Sequence, residues 1–431
     1  MSRRMMTGAL FATALSLACA GALAQDLLIR NATVHTGTTQ GTLQGTDILV
    51  RGGRIAAVGQ RLSAAGVPAV DAQGRPVTAA LFAGIGGIGV EEVSGESSTV
   101  DSHVDLPENQ FGLRPEFDIT LAYNPESVLV PVTRIEGFGW TMLSAQPGES
   151  FIAGQGGAVR LDGSLDAIGP RVLFMALGGG RAAQKAGGSR AAQWMILDQL
   201  IDEVRGRIAP DSQFAQLTPA GRAALAKYFG GGGRVAVEVH RAADIQRLLR
   251  WSRERDVRIA IVGGAEAWKV APQIAAAKVP VFVDTLLNLP SDFDQIGATI
   301  ENAARLREAG VAVAFSLSGD ASHSARKQRQ LAGNAVAHGM RWEDALAGLT
   351  RVPAEIFGLG GQMGSIAIGQ RADLVLWSGD PLDVAQTATQ VWLDGQAMPM
   401  RSRQTDLRDR YLHPTPGLPR AYPKAADRET P

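Results

Sequence analysis

Any chemistry in this chain has to be done with few reactive side chains. Six histidines are present, His35, His103, His240, His323, His338 and His413, and Cys19 is the single cysteine. Cys19 lies in an N-terminal segment that reads as removable, so the mature chain is expected to hold no thiolate nucleophile, no disulfide and no cysteine metal ligand. No Gly-x-Ser-x-Gly elbow occurs, so acyl-enzyme chemistry has no support either. Gly178-Gly179-Gly180 and Gly187-Gly188 could cradle an anion through backbone amides. Their spacing matches neither a P-loop nor a dinucleotide fingerprint, and a flexible loop is the simpler reading. Acid–base or metal chemistry by carboxylate and imidazole is what remains. The histidines and carboxylates that could serve are scattered along the chain. Each competes with a plainer reading, since a lone histidine is often a packed one. Asp284 could face a site or cap the next turn. Glu91-Glu92 could supply a carboxylate or stay solvated, and His323 reads as an exposed loop residue. His35, His103, His338 and His413 have no cluster around them, and Trp194, Trp251, Trp268 and Trp342 read as packing.

The elements that must position these residues follow from hydrophobic period. Leu27 to Arg30, Asp47 to Val50 and Arg54 to Val58 are short strand candidates, with Gly52-Gly53 as a two-residue hairpin turn. Ala372 to Trp377 and Gln390 to Gly395 have the same character near the other end. Between them apolar runs alternate with amphipathic helices. Arg234 to Val239 precedes a helix over Ala242 to Arg255, and Arg258 to Val262 precedes one over Ala265 to Ala277. Val279 to Val283 precedes a helix around Phe293 to Ala309, and Val311 to Phe315 is followed by two closing helices. Strands alternating with helices imply parallel βαβ units, and a series this long implies a (β/α)8 barrel. The stretch from Val93 to Ala167 is expected to place loops or a strand pair over the barrel mouth. Its Ala122 to Ser127 and Ile152 to Gly156 segments are expected to meet a ligand.

Targeting and charge set the remaining bounds. Arg3 and Arg4, the apolar run Gly8 to Ala20 and Ala22-Leu23-Ala24 fit a signal peptide cleaved near Ala24, which implies a periplasmic or secreted protein. No later run is long enough to span a bilayer. Forty-two basic and 42 acidic residues give zero net charge, so nothing draws the chain to nucleic acid or an anionic membrane. The expected partner is a small molecule, with a homodimer left open.

Three blocks near the start carry a family likeness. They are Ile29-Arg30-Asn31-Ala32, Val50-Arg51-Gly52-Gly53-Arg54-Ile55-Ala56-Ala57-Val58-Gly59 and Val70-Asp71-Ala72-Gln73-Gly74-Arg75-Pro76-Val77-Thr78. Near the end come Thr350 to Leu359, Gly364-Ser365-Ile366, Gly369 to Trp377 and Gly379-Asp380-Pro381-Leu382. In this order they resemble the amidohydrolase superfamily, nearest its imidazolonepropionase-like branch, over about residues 26 to 400. The resemblance implies a TIM-like (β/α)8 barrel of class α/β over 81–359. A small β-sandwich would be built from both chain ends, 25–80 and 360–402, with 1–24 as signal peptide and 403–431 as a tail.

The resemblance also implies hydrolysis of cyclic amides, dipeptides or other non-peptide C–N bonds on one or two divalent metals. Here the chain departs from the family. Ile85 and Gly87, in Ala79 to Gly89, stand where two strand 1 histidines are expected, and neither side chain can bind a metal. Glu238 stands where the strand 5 histidine is expected, with His240 two residues on. Ile261-Val262-Gly263-Gly264 replaces the strand 6 His-Gly, and no carboxylated lysine is evident, Lys185 being in a glycine-rich loop. By resemblance Asp320 would take the proton of the attacking water, and Glu238 with His240 would hold at most one weakly bound Zn or Mn ion. Two expectations follow. One is a hydrolase with a degenerate metal site. The other is a catalytically inactive relative that binds a small ligand or a partner protein.

Overall fold

In a computed structural model the described residues are 26–104, 113–148, 150–319 and 322–412. The first strands are β1 (Leu27–His35), β2 (Thr42–Arg51), β3 (Arg54–Gly59), β4 (Ala69–Asp71) and β5 (Pro76–Ala79). The expected hairpin is present. Gly52 and Gly53 both have positive φ, +52° and +74°, the backbone that a two-residue turn between right-twisted strands needs. Next come β6 (Leu81–Gly86), β7 (Phe138–Leu143), β8 (Ile152–Arg160), β9 (Ile168–Ala176), β10 (Arg234–Val239), β11 (Arg258–Gly263), β12 (Val281–Val283) and β13 (Val313–Phe315). Last are β14 (Leu374–Trp377), β15 (Ala388–Leu393) and β16 (Gln396–Ala397).

Both chain ends build one sheet, as expected. Its order is β16-β15-β14-β5-β1-β2-β3, with β4 also on β1. The sheet folds over on itself, because Ile55 in β3 exchanges backbone hydrogen bonds with Gly369 and Gln370, just before β14. The fold encloses its own apolar core, which includes Ile29, Val34, Ile48, Val77 and Leu374.

β6 to β13 form the second sheet, a nearly closed eight-stranded barrel. Most neighbours are parallel, but β8 runs antiparallel to both β7 and β9. The strand pair expected over the mouth is therefore wall. Its composition explains why: β8 reads IAGQGGAVR and is buried throughout. A Cβ at Gly156 would fall 1.9 Å from the carbonyl oxygen of Leu143, so only glycine lets these backbones approach. The helix Ala242–Arg255 packs Ile245, Leu248, Leu249 and Ser252 inward at helical spacing and ends at Asp256 in the left-handed region.

Two other expectations change. The helix around Phe293 to Ala309 is confined to Asn302–Glu308, because the Asp292 carboxylate accepts the N–H of Asp294 and holds a turn instead. The closing helices are three, Gln328–Ala337, Trp342–Leu349 and Arg351–Ile356. Arg403–Leu412 of the expected tail is helical, its start fixed where Ser402 N–H meets the Thr405 hydroxyl at 2.8 Å. Residues 1–24, expected to be a signal peptide and including Cys19, lie outside the described residues, as do Asp320 and His413. Among those described, no helix is long and apolar enough to cross a membrane.

The sheet is tied to the barrel through Arg160, at the end of β8 and 3% exposed. Its guanidinium meets Asp373 at 2.7 Å, Asp394 at 2.6 Å and Asp162 at 2.5 Å. Asp373 and Asp394 belong to the β14–β15 end of the first sheet, so one buried cation joins the two units.

Candidate active site at the barrel mouth

In a parallel barrel the strands deliver their last residues to one rim, and the loops that follow shape a cleft there. A cavity of about 240 Å³ opens at that rim. Ile85 to Gly87 contribute from β6, Ser144 to Pro147 from beyond β7, Glu238 from β10, Gly263 from β11 and Ser316 to Gly319 from beyond β13. Glu91 also reaches it, as does Ala153 of the Ile152–Gly156 segment. Ala122 to Ser127 do not line it.

Glu238 is the side chain that β10 turns to the rim, and it is half exposed. The imidazole Nε2 of His240 stands 3.6 Å from Glu238 Oε1, too far for a hydrogen bond and close enough for an ion pair when the ring is protonated. The ring rests against Gly263: a Cβ there would come within 2.4 Å of its Cε1, and φ is +85°. The missing side chain at the end of β11 is thus what admits His240. The Nδ1 of that ring is buried and makes no hydrogen bond among the described residues.

Backbone at the rim is fixed by serine hydroxyls. Ser316 Oγ accepts from Ile85 N–H at 3.0 Å, and Ser322 Oγ accepts from Gly87 N–H at 2.9 Å. Asp284, left between two readings, is a cap. Its carboxylate accepts the N–H of Leu286 at 2.9 Å and of Ser318 at 2.8 Å, which holds the β12 and β13 loops together. Glu266 is another knot of this rim. It accepts from Ala242 N–H at 3.1 Å, Gly297 N–H at 2.8 Å and Lys269 Nζ at 2.7 Å. Burial pushes its carboxyl up, and those three donors outweigh burial and hold it below the ordinary range.

Catalytic zinc takes three protein ligands, and the rim pair Glu238 and His240 supplies two. Among the described residues no three His, Cys, Asp or Glu side chains gather closely enough to hold a metal ion. The described donor set therefore does not fit a metal centre.

Residues 265–399 match the model of the amidohydrolase family. The fold matches that of an amidohydrolase from Thermotoga maritima MSB8, with a TM-score of 0.76 and 24% identity over 87% of this chain and all of that one. The chain is thus similar to amidohydrolases in sequence over residues 265–399 and in fold over 87% of its length. The same fold is shared with a prolidase complexed with N-methylphosphonate-L-proline, at a TM-score of 0.52 and 16% identity over 88% of this chain and 100% of that one. Amidohydrolase tasK of Hapsidospora irregularis is 43% identical over 60 residues, 14% of this chain. The match spans about 6% of that protein's length.

At the barrel rim Glu238 and His240 approach one another. Glu238 and Glu91 line the cavity, as does Gly319, which precedes Asp320, whereas His240 stands behind Glu238 outside the lining. His323 is half-buried away from that lining, with Nε2 buried and free of hydrogen bonds to the described residues. His35 packs against Trp342 with ring centroids 4.6 Å apart and planes tilted by 49°, and His338 bonds its own helix at Asn334. Trp194 packs on Trp251, so these rings pack as expected. The serines at 144, 316 and 322 were not singled out from the sequence; the one signal was the Ser-Leu-Ser run before Asp320.

Proposed function

We propose that this chain hydrolyses a C–N bond in a small polar molecule, a cyclic amide or a dipeptide, held in the barrel-mouth cavity. The observation that carries the reading is the 3.6 Å approach of Glu238 and His240 at the rim where the barrel strands end. In this reading Asp320 takes the proton of the attacking water, and Glu238 with His240 orient that water. The proposal treats Ile85 and Gly87 as replacements of the family's histidine pair. The site is then degenerate, and one Zn or Mn ion is the most that Glu238 and His240 would hold. Export is part of the proposal, resting on Arg3-Arg4, the apolar run to Ala20 and the Ala22-Leu23-Ala24 cleavage pattern.

A second reading is a relative that binds its ligand without turning it over. It rests on Ile85, Gly87 and Ile261-Val262-Gly263-Gly264 standing where the family's metal-binding imidazoles are expected.

One experiment separates them. The mature protein is purified without chelators, soaked in Zn²⁺ or Mn²⁺, analysed for metal and assayed on a panel of cyclic amides and dipeptides. Turnover that is lost in Asp320→Asn and Glu238→Gln establishes the hydrolase. Folded, metal-free protein that binds panel members and converts none establishes the second reading.

A further inference from the structure

At the opposite end of the barrel from the mouth, an open groove of about 960 Å³ lies between the starts of β10 and β11 and the ends of the helices Ala242–Arg255 and Ala271–Ala276. Arg234, Arg250, Arg253, Arg258 and Lys278 line it, with Asp256 as the only carboxylate in the lining. None of these five cations forms an ion pair among the described residues. Over a chain with equal numbers of acidic and basic residues, this is a sharp local imbalance.

Helix ends explain part of it. A helix C-terminus attracts cations, which accounts for Arg253 in the last turn and Lys278 just beyond the second helix. Arg234 and Arg258 have no such reason. They open neighbouring strands and are direct partners in the β10–β11 ladder, where like charges repel. Each is anchored by one backbone carbonyl, Arg234 on Ile259 at 3.0 Å and Arg258 on Gly232 at 3.1 Å. Arg234 is half-buried, and its guanidinium is pushed down to about 10, first by burial and then by Arg258. Two adjacent arginines held together without a counter-charge, facing three more cations across a groove, form a receptor for an anion. Guanidinium forks suit oxyanions that accept two hydrogen bonds at once.

We infer that this groove binds a multivalent phosphate-type anion, either free in solution or displayed on a lipid headgroup. The inference does not depend on the reading of the mouth, since Arg234 and Glu238 stand at opposite ends of β10.

Calorimetric titration of the full mature chain with inorganic tripolyphosphate at low ionic strength tests it. Saturable binding at one site is expected, weakening as salt screens the exposed charges. The triple variant Arg250→Gln, Arg253→Gln, Lys278→Gln changes exposed side chains only and should weaken binding at least about tenfold. Asp256→Asn suits its left-handed backbone and should tighten binding severalfold, a gain that misfolding cannot mimic. Sedimentation with phosphatidylglycerol vesicles, compared with phosphatidylcholine vesicles, names the source. Pelleting that tripolyphosphate reverses assigns a lipid headgroup, and binding of tripolyphosphate without pelleting assigns a soluble anion. Absence of saturable binding up to the order of 1 mM, or undiminished binding by the triple variant, overturns the inference.

Discussion

The hydroxyl of Ser316 accepts the backbone N–H of Ile85 at 3.0 Å, and this contact crosses the seam of the barrel. No backbone ladder joins β13 to β6 among the described residues. Side chains close the gap instead: Ser316 on Ile85, Ser322 on Gly87, and the Gln328 amide donating to Ala83 carbonyl at 3.2 Å. The first and last strands are thus held to one another at the cavity, so barrel closure and the shape of the mouth depend on the same few hydroxyls.

Ser316→Ala and Ser322→Ala should each destabilise the protein by about 1–3 kcal/mol, since each leaves a buried N–H without its acceptor. Urea unfolding followed by circular dichroism measures this. A wild-type midpoint in both variants would mean that the seam does not rest on these hydroxyls.

Gly263→Ala bears on the mouth directly. The added methyl would lie 2.4 Å from the His240 ring, on a backbone at φ +85° that alanine disfavours by about 1–2 kcal/mol. The ring has to leave Glu238, so ligand affinity or turnover at the mouth should fall by more than the stability loss explains. Unchanged function in a mildly destabilised protein would show that the Glu238–His240 approach is not what the mouth uses.

Arg160→Met should be costly, about 3–5 kcal/mol, because it strands Asp373 in the interior without its cation. Adding Asp373→Asn should recover part of that loss, as coupled partners do. Thermal unfolding of the single and double variants gives the coupling. Simple additivity would contradict a shared role for the two residues.

Glu266 predicts an acid-sensitive component of stability. Its carboxyl is held below the ordinary 4.5 in the folded protein by Lys269 and the N–H groups of Ala242 and Gly297. A depressed folded pKa stabilises above the unfolded value, and the benefit disappears as pH falls through the folded one. Glu266→Gln should therefore lower the unfolding midpoint near neutral pH, and the gap from wild type should shrink below 4.5. Parallel denaturation curves across that range check the sign, and a gap that widens in acid would refute it.

The alternation of apolar runs with helices made the later barrel strands legible. β10 and β11 and the helix between them lie where period and β-branched content put them. The Gly52-Gly53 hairpin was equally legible, because its backbone conformation is a property of the two residues themselves. β8 was not, since IAGQGGAVR has a composition that suits a loop as well as a strand. Only its neighbours decide, by approaching so closely that Gly156 has no room for a side chain.

The site divides in the same way. Glu238 and His240 could be picked out because Val235 to Ile245 resembles the family's strand 5 block, and the likeness of the chain ends likewise rests on contiguous blocks that need no fold to be read. Ser144, Ser316 and Ser322 carry no local mark of a role. They matter because separate strands end at one rim, and Ser316 meets Ile85 across 231 positions of chain. The groove at the other end has the same origin. Arg234 and Arg258 are unremarkable 24 residues apart in the sequence, and only a parallel register makes them neighbours. Propensity and period are short-range properties that a sequence states outright. Which carboxylates, hydroxyls and cations meet is settled by long-range packing, and that belongs to the tertiary structure alone.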